Sequence, residues 1–507
     1  MGKTSTMDKP KNLISSSTGI KFYLGLGLIS IIYLILRLIY PETIEFGYDQ
    51  PRLAYTVMDY LKNGNFMTLQ TYSLPTSWGN LSWGPTLVLF NSLFLKISHD
   101  PFVISYLMIF FNFLSIFIVA KIGNEYFSWK VGLVAALVFS VHPLWIIFSR
   151  MIYQPAPIPV FIAASIYFLF KVIKNPKSVW IIPLVVSWAM LLQMYLITIS
   201  FVFLSFIFFL IFSNLKLNYK YLLISIGISL LLYLPSIKYY LDNKDLFYKF
   251  LQFGGKFNTS FTDTLKGFFN TIIGGNFKWQ LGYGYEDFVK NFRQLKSLQS
   301  LVGIFLSFLL TIGIYGIFKK LNHFGIMLLL FFIAPLFAIP LIGVEYVVPR
   351  YFLYIMPAFS LFVGISVEET VKLISKKIYL ILLFILLFWV IFIFKYYYFI
   401  KTYQYPSGFI SNWSDVPYSF LQKSFAWIEE DSKNKNYDTY TVSLDPKKPK
   451  EFNLNYSQRY YWEYVVRKDE ILTGNIGHYL MHFTPLPEDS SISVQQYGPY
   501  VVYEYVD

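Results

Sequence analysis

Residues 299–342 read QSLVGIFLSFLLTIGIYGIFKKLNHFGIMLLLFFIAPLFAIPLI. Two apolar runs, 299–318 and 324–342, flank a short polar turn that carries Lys319 and Lys320. Each run is about 20 residues long, enough for a helix rising 1.5 Å per residue to cross a hydrocarbon core of roughly 30 Å. Comparable runs lie at 21–40, 101–120, 130–149, 156–173, 179–193, 197–213, 221–238, 351–367 and 378–397. Gln193 and Tyr195 mark the short turn that divides 179–213 into two. The pattern predicts a mainly helical, polytopic membrane protein with about eleven spans.

Composition agrees. The 507 residues are 55% hydrophobic and only 14% charged, against about a quarter charged for a soluble domain. Mean hydropathy is +0.49. So little polar surface cannot cover a soluble chain of this size. The net charge of +13 does not form one basic patch, so it does not point to nucleic acid. There is no cysteine, which excludes disulfides, thiolate metal sites and cysteine nucleophiles.

The basic residues set the orientation. With the N-terminal tail, residues 1–20, in the cytoplasm, the cytoplasmic segments hold Lys121 and Lys130, then Lys171, Lys174 and Lys177, then Lys216 and Lys220, then Lys319 and Lys320, then Lys372, Lys376 and Lys377. The short outer turns hold little beyond Arg150 and Arg350, as the positive-inside rule requires. The first run is too long for a signal-peptide core and reads as an uncleaved anchor. An odd number of spans places the domain at 400–507 outside the cell, beyond a membrane domain at 21–399. That terminal domain mixes an amphipathic helix, Tyr418 to Glu430, with strand-like pieces at Tyr440–Leu444 and Tyr500–Tyr503, and reads as a small α/β or α+β unit.

Two outer loops are too long to be mere connectors. Residues 41–100 hold a short helix from Pro51 to Leu61 and a second amphipathic stretch from Trp83 to Ile97. Residues 239–298 carry Gly254-Gly255, Gly274-Gly275 and Gly282-Tyr283-Gly284-Tyr285, the pattern of a mobile lid.

Ionisable groups at the outer face are the candidates for chemistry, because such groups are costly near lipid. They fall in three places: Glu42 to Arg52 after the first span, Arg150 in an outer turn, and Glu345 to Tyr351 before the tenth span. A carboxylate with two or three guanidiniums suits a phosphate-bearing lipid, since arginine binds phosphate bidentately and a carboxylate can take a hydroxyl proton. Each group also has a plainer role open to it. Asp49 before Gln50-Pro51 can cap a helix. Arg150 and Arg350 can snorkel to headgroups. His142-Pro143 can be a packed helix end. The five histidines are scattered and make no metal cluster.

The order of features resembles the GT-C membrane glycosyltransferases, in particular the family 39 or protein-mannosyltransferase type. The resemblance rests on Asp49-Gln50, the helix from Arg52 to Leu61 with Gly64 at its end, and Trp83-Gly84-Pro85-Thr86-Leu87. It continues through Gly132-Leu133-Val134-Ala135-Ala136, His142-Pro143, Ser149-Arg150, Arg350-Tyr351 and Pro357, covering roughly residues 20–370.

It implies a GT-C-like fold and a glycosyltransferase of the plasma membrane that moves a sugar from a polyprenyl-phosphate donor to a protein, lipid or glycan hydroxyl on the outer face. Asp49 would be the base, and Arg52, Arg150 and Arg350 would hold the donor phosphate. Gln50, Tyr153, Gln154, Tyr351, Glu345 and His142 are candidates for substrate contact. The family's acidic pair is here Asp49-Gln50, and Tyr153-Gln154-Pro155 stands where many members carry an acid, so neither a metal nor another cofactor is expected. A lipid or sugar transporter or flippase is the alternative. The ionisable groups gather at one face rather than at mid-membrane, and no internal repeat is evident, which favours interfacial chemistry.

Overall fold

The apolar runs become helices because lipid leaves the backbone no other partner for its own polar groups. The computed structural model describes residues 16–46, 49–64, 73–76, 79–82, 84–213, 218–242, 244, 259–275, 277, 281, 284–342, 347–402, 418–443, 465–466, 476–482, 491–497 and 500–505; for Asp49 and Arg52 it describes the backbone alone. Glu345 lies outside the described residues, as do Gly254-Gly255 and Trp83.

In chain order the helices are α1 (Ser16–Leu38), α2 (Asp49–Asn63), α3 (Thr86–Leu95), α4 (Phe102–Tyr126), α5 (Trp129–Val141), α6 (Pro143–Phe148), α7 (Ile158–Lys174), α8 (Ile181–Met194), α9 (Ile199–Ser213) and α10 (Tyr219–Asp242). They continue as α11 (Phe261–Ile273), α12 (Gly284–Asn291), α13 (Arg293–Lys320), α14 (His323–Ile342), α15 (Met356–Leu373), α16 (Ile378–Thr402) and α17 (Tyr418–Asn434). Among the described residues, seven helices are long and apolar enough to cross a membrane; α5, α8 and α9 are shorter apolar helices. This is a multi-pass membrane protein.

Three local differences from the sequence reading have plain causes. The expected span 130–149 is broken at His142, whose backbone is extended, and Pro143 starts a separate short helix. The 239–298 loop contains two helices, α11 and α12. Ser260 caps α11 by accepting from the Asp263 N–H at 3.0 Å, and Gly274 ends it in the left-handed conformation at φ 82°. A hairpin, β1 (Ser73–Thr76) with β2 (Gly79–Ser82), stands in the first outer loop.

Small residues let the central helices touch. A Cβ on Gly123 of α4 would lie 2.4 Å from the Gly132 Cα of α5, and one on Gly364 of α15 would lie 2.7 Å from the Val131 carbonyl oxygen. Such contact at glycine is the usual means of close helix packing in lipid, where no hydrophobic force drives helices together.

Three of the basic residues expected on one side, Lys171, Lys320 and Lys372, stand at helix ends in ion pairs. Lys171 pairs with Glu125 at 2.7 Å, Lys320 with Glu369 at 2.5 Å, and Lys372 with Glu368 at 2.7 Å. The Ser128 hydroxyl also donates to Glu368, at 2.7 Å.

The C-terminal part has a four-stranded sheet in the order β3-β4-β6-β5: β3 (Thr439–Ser443), β4 (Ile476–His482), β5 (Ser491–Tyr497) and β6 (Tyr500–Tyr505). β3 runs parallel to β4, and the other pairs are antiparallel. A polar cluster ties α17 to this sheet. Lys435 pairs with the buried Glu504 and with Asp431 at 3.0 Å. Tyr437 donates to Glu504 at 2.9 Å, and Tyr479 to Asp431 at 2.9 Å. Burial works against the Lys435 ammonium, but its hydrogen bonds to Glu504 and Asp431 outweigh that and hold it above the usual lysine range. The Glu504 hydrogen bond raises the Tyr437 phenol. Burial, then Asp431, raises that of Tyr479.

Candidate active site

The turn between α6 and α7 is the meeting point. It begins with Ser149-Arg150 and runs through Tyr153-Gln154-Pro155. All four of Ser149, Arg150, Tyr153 and Gln154 are buried. The Ser105 hydroxyl of α4 donates to the Arg150 carbonyl at 2.5 Å and pins the backbone there. Asn112, one helix face further along, donates to the Ala156 carbonyl at 3.0 Å.

Arg150 turns its guanidinium toward the end of the first helix. Nη2 donates to the Tyr40 carbonyl oxygen, and the guanidinium carbon stands 4.9 Å from the centre of the Tyr397 ring. Nε has no partner. With Thr43, Glu45, Tyr396, Tyr397 and neighbouring apolar groups, Arg150 lines a recess that has room for about one water molecule. That is narrower than a phosphoryl group.

Arg350 comes to the same turn through Tyr153. It stands in the tight helical segment Pro349–Ile355 before α15, half-buried, 5.7 Å from the Tyr153 ring centre and 5.9 Å from that of Tyr351. Tyr351 in turn lies 6.0 Å from Tyr195, where α8 ends. Arg150 belongs to this buried turn and Arg350 stands beside its Tyr153, but Arg350 does not line the recess that Arg150 lines.

The backbone of Asp49 opens α2, followed by the buried Gln50. The apolar face of α2, Leu53, Ala54, Val57 and Met58, belongs to the same buried cluster as Ile152 and Ala156 of the turn. The side chains of Asp49 and Arg52 lie outside the described residues. His142 sits elsewhere, at the α5–α6 junction. Its ring packs edge-on against Trp389 at 4.8 Å and Phe359 at 5.9 Å, and its Nε2 is 3.4 Å from the Ile272 carbonyl oxygen.

Glu45, within the stretch Glu42 to Arg52 that the sequence singles out, belongs to the site, and so do Arg37 and Tyr396, which are absent from the sequence reading. Glu45 is 3% exposed and accepts from the Tyr396 hydroxyl at 2.9 Å. Arg37, in the last turn of α1, is fully buried, and its Nε donates to the Ser149 hydroxyl at 2.7 Å. The available signal for Arg37 was one arginine inside an apolar run. Nothing in the sequence marks Tyr396 among its aromatic neighbours.

The segment 42–46 is held from two directions. The backbone N–H of Tyr418 donates to the Ile44 carbonyl at 2.9 Å, and the Ser419 hydroxyl donates to that of Glu42 at 2.8 Å. Tyr418 also packs edge-on against Phe46 at 5.0 Å and Phe102 at 4.7 Å. The C-terminal helix α17 therefore closes over the segment that leads to Asp49.

No curated protein is similar enough in sequence to count as a relative. Residues 83–239 match the family described as dolichyl-phosphate-mannose-protein mannosyltransferase. ArnT from Cupriavidus metallidurans in its apo state is similar over 97% of this chain and 99% of its own, with a TM-score of 0.57 at 10% identity. Its form bound to undecaprenyl phosphate gives a TM-score of 0.52 at 10% identity over 97% and 98% of the two chains. The apo oligosaccharyltransferase of Archaeoglobus fulgidus gives 0.50 at 12% identity, over 92% of this chain and 70% of that one. The fold of this chain, a helical membrane domain with a small C-terminal sheet, is thus similar to that of ArnT and of the archaeal oligosaccharyltransferase, and its residues 83–239 match the mannosyltransferase family model.

Proposed function

We propose that the protein is a membrane glycosyltransferase that moves a sugar from a polyprenyl-phosphate carrier to an acceptor hydroxyl on the outer face of the plasma membrane. The observation that carries this reading is Arg150, a buried guanidinium in no ion pair among the described residues, at the bundle end where α2 begins with Asp49. The near full-length likeness to ArnT supports the scaffold for such chemistry.

In this reading Asp49 takes the proton of the acceptor hydroxyl. The oxygen attacks the anomeric carbon and forms the new glycosidic bond. The carbon–oxygen bond to the lipid phosphate breaks, and the phosphate leaves with the bonding pair. Arg150 and Arg350, with Arg52, stabilise the charge that gathers on it, as pre-placed cations do. Attack opposite the leaving group inverts the anomeric centre. Gln50 replaces a second acid and is a poor metal ligand, so the mechanism has no metal step; transfer undiminished by a chelator is the expected result. The N-terminus is cytoplasmic and the sheet domain at the C-terminal end is outside, beside the acceptor.

The test uses the full chain in membranes given a panel of radiolabelled polyprenyl-phosphate hexoses and pentoses. Transfer by the wild type and a loss of about 10²–10⁴ in Asp49→Asn are expected. Wild-type rates in Asp49→Asn would remove that residue from the mechanism. No transfer with any donor would overturn the enzyme reading.

A further inference from the structure

Arg37 is a charge buried inside the membrane domain with no ionic partner among the described residues. It is 0% exposed, in the last turn of α1. Its hydrogen-bond partners are neutral: Nε donates to the Ser149 hydroxyl at 2.7 Å, and Nη1 to the carbonyls of Ser140 at 2.8 Å and Tyr33 at 3.3 Å. The guanidinium lies 3.6 Å from the centre of the Tyr33 ring, and Nη2 has no partner. Burial makes an arginine so placed costly, and an anion would offset that cost.

The neighbour makes the imbalance larger. Arg150 is also buried, also bonded only to a carbonyl and a ring, and also keeps an unpartnered nitrogen. Arg37 is bonded to Ser149, the residue before Arg150, so two like charges are held close together in a medium that screens them poorly. Among the described residues neither guanidinium is in an ion pair, and the one buried carboxylate that lines the recess with Arg150, Glu45, leaves two buried cations with a net positive charge that an anion would complete.

We infer that Arg37 is a positioning residue for an anionic lipid phosphate: through Ser149 it holds the turn that presents Arg150, and its own charge makes the recess behind that turn electropositive. The inference rests on the lipid-phosphate reading above and adds to it a residue that does not line the recess. Arg37 acts through Arg150 and makes no contact with the phosphate itself.

The test compares undecaprenyl phosphate with undecaprenol, its uncharged alcohol, as ligands of the full chain in nanodiscs of neutral lipid. The wild type should prefer the phosphate. Arg37→Met should lower that preference about tenfold or more, the loss expected for one charge-assisted hydrogen bond. Arg37→Lys should restore part of it, since the charge returns without the fork. In turnover, donor KM should rise while kcat stays within about twofold, a split that a merely less stable protein would not show. Should Arg37→Met fail to fold, Ser149→Ala decides, because it cuts the one side-chain link to the turn and leaves both charges. Full retention of the phosphate preference in whichever of these variants folds overturns the inference. A wild type that does not distinguish phosphate from alcohol overturns the lipid-phosphate reading itself, and this inference with it.

Discussion

The Tyr396 hydroxyl donates a 2.9 Å hydrogen bond to Oε1 of Glu45, joining α16 to the segment that follows α1. Both residues are buried. A hydrogen bond to a buried carboxylate contributes about 1.5–3 kcal/mol, so this contact fixes where the segment stands before it reaches α2. Tyr396→Phe should lower the melting temperature by a few degrees and the transfer rate about tenfold, with donor KM little changed. Steady-state kinetics with a labelled donor, alongside a melting curve, measures both. A variant that melts earlier but turns over at the wild-type rate would show that the segment's position does not matter to chemistry.

Arg150 contributes a buried, pre-placed cation to the recess. Arg150→Ala should reduce transfer by about 10²–10³, the usual loss when one electrostatic partner of a transition state is removed. Arg150→Lys should recover little. A point charge on a flexible stem cannot both donate to the Tyr40 carbonyl and lie against the Tyr397 ring. An activity in the lysine variant close to wild type would mean that charge alone suffices.

The α4–α5 crossing leaves no room for a side chain. A Cβ on Gly132 would stand 2.5 Å from the Ala120 carbonyl oxygen, a backbone atom that cannot swing aside. Gly132→Val should therefore destabilise the membrane domain by at least about 1–3 kcal/mol, the ordinary cost of overpacking. Fluorescence-detected size exclusion after a heating series reads this directly. A monodisperse variant with an unchanged melting point would contradict the packing described.

The C-terminal domain should weaken in alkali. Lys435 has a raised pKa in the folded protein, so its contribution is complete below the ordinary lysine value of about 10.4 and is lost as pH climbs through the higher folded value. Tyr437 and Tyr479 have raised values for the same state and act with the same sign, since each must keep its proton to donate to Glu504 or Asp431. Stability should be flat from neutral pH to about 10 and fall above it. Trp427, whose ring packs edge-on 6.2 Å from Tyr479, serves as a reporter, with Trp427→Phe as the blank. Lys435→Met should shift the onset of the fall. A fall between pH 5 and 8 would assign it to other groups.

The membrane helices were legible because each is a local object: one long apolar run satisfies its own backbone. The turn at Tyr195 and the start of α17 were legible for a similar reason, since propensity and pattern change sharply there, whereas α17 runs on past Glu430 to Asn434 and β3 starts one residue earlier than read, at Thr439. The break at Pro143 and helix α11 carried signals that were outweighed. A long apolar run hid the first, and a surplus of glycine hid the Ser260–Asp263 cap of the second. At the site, Arg150, Tyr153 and Arg350 could be read as polar residues near one membrane face. Arg37, Glu45 and Tyr396 owe their roles to partners far away in the chain, and no local pattern encodes such a partnership.

The clasp of α17 on the segment 42–46 has a bearing on biosynthesis. Glu42 is made early, yet the hydroxyl that meets its carbonyl belongs to Ser419, 377 residues later. A nascent chain still on the ribosome has every cation of the recess but not the piece that seats the stretch before Asp49. The seat of that stretch thus arrives last in synthesis, and a chain cut short before Tyr418 would lack it.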